Sequence, residues 1–184
     1  MKRVVSQRYR IVLLLACIPW LLAMAPLTTV SLAVGAGDGA YAAATARMVR
    51  SFIDYTRWPV RTGAATICVV GPAAWTGQLD GMTLGDGRRT LRKAVTAAGV
   101  AAAGCNVVYV GKIDQSTAQQ VFTAVRGKGV LTIIENAPQC RSQAMFCLRP
   151  GPQTLSFAIN IDAVSRSGLR IDPRVLRMAG GGAT

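Results

Sequence analysis

Three short runs of apolar residues restrict the folds open to this chain more than any other feature. They are Thr66-Ile-Cys-Val-Val-Gly71, Cys105-Asn-Val-Val-Tyr-Val-Gly111 and Val130-Leu-Thr-Ile-Ile-Glu135. None alternates polar with apolar residues along its core, so each suits a strand buried on both faces, as in a parallel sheet covered by helices. Between the second and third runs, Asp114 or Ser116 can cap a helix with the apolar stripe Ala118, Val121, Phe122 and Val125, stopped at Gly127. Strands that alternate with helices imply an α/β fold: a single three-layer sandwich with a mostly parallel central sheet flanked by helices.

The flanking segments add elements to this frame. Val49, Phe52, Ile53 and Thr56 recur at helical spacing and predict a helix over 42–56, ended by Pro59. Residues 72–80 are assigned a short helix, 90–96 a more exposed strand, and 144–148 a fourth, shorter strand. Leu155, Phe157 and Ile159 alternate with Ser156, Ala158 and Asn160, the pattern of a strand with one face on a core. A helix follows with Ile161, Val164 and Ser165 on one face, stopped by Gly168. Asp172-Pro173 then starts a last helix with Val175, Leu176 and Ala179 at its apolar positions.

The hydrophobic excess of the chain lies mainly before residue 45. Lys2, Arg3, Arg8 and Arg10 precede the apolar stretch 11–25, with A-x-A ends at Ala23-Met-Ala25 and Ala40-Tyr-Ala42. Residues 1–42 are therefore read as a secretory signal, residues 43–179 as the domain and residues 180–184 as a tail. An uncleaved anchor is the other reading, because no charge occurs between Arg10 and Asp38; Pro19, Pro26 and the small-residue tail count against it. Export places the protein in the periplasm.

Cysteine usage agrees with export. Once Cys17 leaves with the leader, Cys68, Cys105, Cys140 and Cys147 form an even set. Four cysteines allow three connectivities. The short loop between Cys140 and Cys147 favours that pair and leaves Cys68 with Cys105.

Charge and missing residue types narrow the function. Taking the four leader basics and Asp38 from 21 basic and 8 acidic residues leaves a net charge of about +10. For an exported protein this favours a headgroup surface, an acidic partner or a small anion over nucleic acid, and a solvated basic face is the alternative. The chain contains no histidine, which excludes His-dependent triads and the commonest metal ligands. No metal or other cofactor is expected. Seven acids remain after the leader, and no two stand at a spacing that argues a carboxylate pair. Gly71-Pro-Ala-Ala-Trp-Thr-Gly77 follows a strand but lacks the Lys-Ser/Thr of a phosphate-binding loop. Enzyme activity is accordingly disfavoured rather than excluded, since acids distant in sequence can meet in space, and an unrecognised acid pair is the remaining enzymatic reading.

One constellation survives this pruning. Arg57 sits at the exit of the first helix, and Arg170 sits at the junction of the last two, beside Asp172. If the terminal helices are neighbours, Arg57, Arg170 and Asp172 line a small anion-binding pocket. The other reading is that both arginines lie on the surface and pack their stems.

Phe52-Ile-Asp-Tyr-Thr-Arg-Trp-Pro59, the 67–71 strand, Cys105 before Val-Val-Tyr-Val, and Phe157-Ala-Ile-Asn160 through Gly168-Leu-Arg-Ile171 to Leu176-Arg-Met-Ala179 together resemble the YfiR family. The resemblance implies a small periplasmic, non-catalytic α/β protein that binds and represses an inner-membrane diguanylate cyclase, limiting cyclic-di-GMP signalling and biofilm formation. It implies release by an outer-membrane lipoprotein, a homodimer, and the same two disulfides. By position it points to Phe146, Phe157, Asn160 and Val164 as the partner surface. A rigid aromatic beside a stiffened loop suits an anchor, with a core phenylalanine as the equal alternative. The competing function is a stand-alone periplasmic binding module for a small anionic ligand or envelope component.

Overall fold

The computed structural model describes residues 31–35, 39–59, 63–137, 139–140 and 142–177. Most of the segment read as a leader, the tail 180–184 and Ala179 lie outside these residues. A seven-stranded sheet runs in the order β1 (Ser31–Ala33), β8 (Thr154–Ile159), β7 (Phe146–Gly151), β6 (Leu131–Ile134), β5 (Val107–Val110), β3 (Ala65–Val70) and β4 (Thr90–Val95). Its centre is β3 (Ala65–Val70), β5 (Val107–Val110) and β6 (Leu131–Ile134), the three apolar runs, all parallel to one another. β4 (Thr90–Val95) joins β3 in parallel, and β7 (Phe146–Gly151) joins β6 in parallel. β8 (Thr154–Ile159) and β1 (Ser31–Ala33) close that side antiparallel.

Because successive side chains on a strand point to opposite faces, the central strands feed two cores at once. Ile67, Val69, Val107 and Tyr109 face one way and meet Val49, Phe52 and Ile53 of α1 (Ala40–Asp54). Cys68, Val70, Val108 and Val110 face the other and meet Ala118, Val121, Phe122 and Val125 of α2 (Gln115–Val125). Helix, sheet and helix make the expected three layers. Asp114 caps α2 by accepting from the Thr117 amide at 2.9 Å. Both disulfides form as expected, Cys68–Cys105 with Cα atoms 5.7 Å apart and Cys140–Cys147 at 5.4 Å, on the α2 side of the sheet.

Within the domain read as residues 43–179, the structure departs from the sequence reading in four places. Residues 72–80 form no helix. Gly71 turns the chain at φ 76° where a Cβ would collide with Ile113, and the amides of Ala74 and Trp75 go to the Glu135 carboxylate instead of a helical turn. α1 stops at Asp54, and Thr56 enters a separate two-stranded ribbon of β2 (Thr56–Arg57) with β9 (Arg170–Ile171). Its buried hydroxyl still donates back to the Phe52 carbonyl at 2.6 Å, so the apolar-face position predicted for it is kept in another conformation. The helix after Asn160, α3 (Ile161–Ser165), has one turn only, too short to hold a continuous apolar face, and Ile161 is 71% exposed. The last element is a 3-10 helix, Pro173–Arg177, which buries Val175 but leaves Leu176 half exposed.

Residues 31–33 were assigned to the leader and pair here with 154–156 at the sheet edge. Among the described residues no helix is long and apolar enough to cross a membrane.

Candidate functional site

Where α1 ends, Tyr55 donates its amide to the Ser51 carbonyl and accepts from the Asp172 amide at 2.9 Å. That second bond ties the helix exit to the chain terminus and starts the β2–β9 ribbon. Register then sets Thr56 opposite Ile171 and Arg57 opposite Arg170. Cross-strand partners stand close enough for their side chains to interact, and two like charges there repel. Both arginines are exposed. They line a shallow cavity of about 200 Å³ with Ile171, Asp172 and Pro173.

Asp172 is already engaged. Its carboxylate accepts from the Arg174 guanidinium at 2.8 and 3.1 Å and from the Arg174 amide at 2.9 Å. These bonds hold its pKa down at about 2, with a smaller contribution from the charge of Arg57. Arg174 also lies over the Tyr55 ring, 5.5 Å from its centroid. Three guanidinium groups and one carboxylate thus share this end of the molecule, an arrangement with spare hydrogen-bond donors for a carboxylate or phosphate. Arg57, Arg170 and Asp172 are therefore neighbours, although the ribbon that joins them was not expected.

The four residues nominated as a partner surface fare differently. Phe146 is fully buried, its ring stacked on Phe52 with centroids 3.9 Å apart, and Phe157 meets Phe52 edge-on at 4.9 Å. The exposed-anchor reading of Phe146 is corrected: β7 is an interior strand, and its α1-facing side chains go to the core. Phe157, at 7% exposure, belongs to the same cluster. Asn160 caps α3 by accepting from the Ala163 amide, and its amide group donates to the Ser142 carbonyl beside the Cys140–Cys147 loop. Val164 is half-buried against the core. The large apolar side chain exposed in this stretch is Ile161, which sequence reasoning placed on one helix face with Val164 and Ser165.

Sequence reasoning also missed the role of Glu135. Its carboxylate at the end of β6 accepts from the Ala74 and Trp75 amides at 2.8 and 3.1 Å and from the Tyr109 hydroxyl at 2.8 Å. Burial, and then the Glu135 charge, push the Tyr109 phenol well above its ordinary value, so it stays neutral. The only sequence signal was an acid closing an apolar strand.

The remaining acids are occupied too. Asp54 accepts from the Gly85 amide and faces Arg50, Asp80 accepts from the Arg92 amide, and Asp86 and Asp162 pair with Arg88 and Arg166. Among the described residues no three His, Cys, Asp or Glu side chains cluster as a metal site.

The fold and site define a disulfide-stapled α/β domain with a basic rim and acids committed to structural contacts. A family model described as YfiR/HmsC-like matches residues 42–180, and the chain belongs to that family. At family level this means periplasmic regulators of diguanylate cyclases rather than catalysts. Among solved structures, the chain is similar at 8% identity to ureidoglycine-glyoxylate aminotransferase from Bacillus subtilis, with a TM-score of 0.44 over 75% of this chain and 40% of that one. It is similar at 12% identity to alanine–glyoxylate aminotransferase from Nostoc sp., with a TM-score of 0.43 over 82% of this chain and 45% of the enzyme. The chain thus spans less than half the length of either enzyme.

Proposed function

We propose that this protein is a periplasmic repressor that binds the periplasmic domain of an inner-membrane diguanylate cyclase and keeps it inactive. An outer-membrane lipoprotein relieves the inhibition by capturing the repressor, which acts as a homodimer. The observation that carries this reading is the family match across the whole domain. Two disulfides support it, since such bonds persist in an oxidising compartment. The contact surface on this chain is the exposed turn at Ile161 together with the adjoining β9, which packs against α3 and carries Arg170. Deleting the gene in its host and measuring cellular cyclic-di-GMP with surface attachment tests the reading. A rise restored by an exported copy supports it, and an unchanged level under several envelope stresses removes it.

The Arg57–Arg170 pairing favours a second role, binding of a small anion at the β2–β9 rim. Two like charges held opposite each other repel less when an anion bridges them. Melting in the presence of inorganic phosphate or small carboxylates, in the native protein and in Arg57→Gln, tests it. Stabilisation that is absent in the variant is the expected result, and no stabilisation of either form removes the pocket.

A further inference from the structure

A larger cavity, about 430 Å³, is lined in part by Tyr55 and shares no lining residue with the β2–β9 rim. Its floor is Met48 and Phe157, with Phe52 behind them, and its walls are Leu32 of β1 and the Tyr55 ring. The volume falls within the range of small-molecule sites. Along α1 and into its C-cap residue, Met48, Phe52 and Tyr55 recur at i, i+4 and i+7 and present one apolar stripe. Arg47, Arg50, Ser51 and Asp54 line the same cavity from the adjacent stripe. One helix therefore supplies both an apolar floor and a charged lip.

The charges of the lip are unequal. Arg50 reaches Asp54 only at 3.5 Å and is half exposed, a loose pair. Asp54 is further held by the Gly85 amide. Arg47 is exposed and has no ion-pair partner among the described residues. An anionic group is repelled from the Asp54 end and drawn to the Arg47 end, while an apolar body finds Leu32, Met48 and Phe157.

We propose that this cavity is a binding site for an anionic amphiphile, a monocarboxylate or monophosphate with a medium-length acyl or comparable apolar body. The head lies between Arg47 and Arg50 and the tail lies along the Met48–Phe157 floor. Both arginines and the floor come from α1 and β8, so they persist if the chain is processed after Ala42, with Leu32 alone lost from the wall.

The test is titration calorimetry of the purified protein, expressed from its full-length gene, with decanoate, decanol and acetate as probes. Decanoate binds this cavity one-to-one, in a tight step separate from the weaker carboxylate binding at the β2–β9 rim. It binds at least about a hundredfold more tightly than acetate, because several methylenes leave water at about 0.8 kcal/mol each. It exceeds decanol by about fivefold, the worth of a partly exposed charge contact. Arg47→Gln removes that fivefold preference, and Ser51→Trp, which fills the cavity from the helix, abolishes decanoate binding while circular dichroism and melting stay native. Arg57→Gln leaves the tight decanoate step unchanged, which separates this site from the β2–β9 rim. Equal affinity for decanol and decanoate, full binding by a folded Ser51→Trp protein, or loss of binding in Arg57→Gln would each overturn the proposal.

Discussion

Replacing Phe146 with alanine separates a core role from a partner-anchor role by magnitude alone. The ring is fully buried, stacked on Phe52 at 3.9 Å and tilted against Phe157 at 5.8 Å. Removing a phenylalanine from water is worth about 3 kcal/mol of area burial, and losing an aromatic pair adds about 1 kcal/mol. A sum of about 4 kcal/mol lies inside the usual cost of about 3–5 kcal/mol for emptying a buried phenylalanine site. For a domain of this size that loss lowers the melting temperature by roughly 12 °C. Urea unfolding followed by tryptophan fluorescence, disulfides intact, measures it, and the midpoint falls while the slope is unchanged. Phe146→Leu, which keeps most of the volume, costs about 1 kcal/mol. An exposed anchor behaves in the opposite way: its truncation costs little stability and much partner affinity. A Phe146→Ala protein that loses under 1 kcal/mol would refute the packing argument.

Further outcomes follow from other contacts. Glu135→Ala deprives two amides and the Tyr109 hydroxyl of their acceptor and costs about 3 kcal/mol, with a shift of Trp75 emission as loop 72–80 loosens; native emission and stability would refute it. Removing the Cys68–Cys105 bridge as a double alanine variant costs about 4 kcal/mol, and removing Cys140–Cys147 about 2.5 kcal/mol, by loop length; a reversed order in urea midpoints contradicts the loop argument. The Asp172 pKa is lowered from 3.8 to about 2, so its contribution is full above pH 3.8 and is lost as pH falls toward 2. Asp172→Asn accordingly lowers stability at neutral pH, lacks the native protein's fall between pH 3.8 and 2, and converges with it at the acid end, read from denaturation midpoints against pH.

Much of the candidate rim was legible before any fold was known, and the reason is local. Asp-Pro after Gly-Leu-Arg-Ile marks a restart of the chain, and Tyr-Thr-Arg-Trp-Pro marks a helix exit, so both arginines were placed at element ends where side chains reach solvent. Neither signal says that the two ends form a ribbon. That contact depends on the Asp172 amide finding the Tyr55 carbonyl, a pairing between residues more than a hundred positions apart. The misread helix at 72–80 has the same origin: its amides are satisfied by Glu135, sixty residues downstream, and local propensity carries no trace of that partner.

By itself, then, the sequence determined the layer architecture, the three central strands, the stripe of α2 and the favoured disulfide pairing. Apolar periodicity, cap residues and loop length are all properties of neighbouring positions. Only the tertiary structure decided that Phe146 and Phe157 are core rather than surface, that Ile161 is exposed, and that Arg47 overlooks an apolar cavity. Alternation along a strand says that a face is buried but not what covers it, and a five-residue helix is too short for a stripe to declare its side. Those outcomes rest on which distant elements pack together, and hence on the balance of burial over the whole sheet.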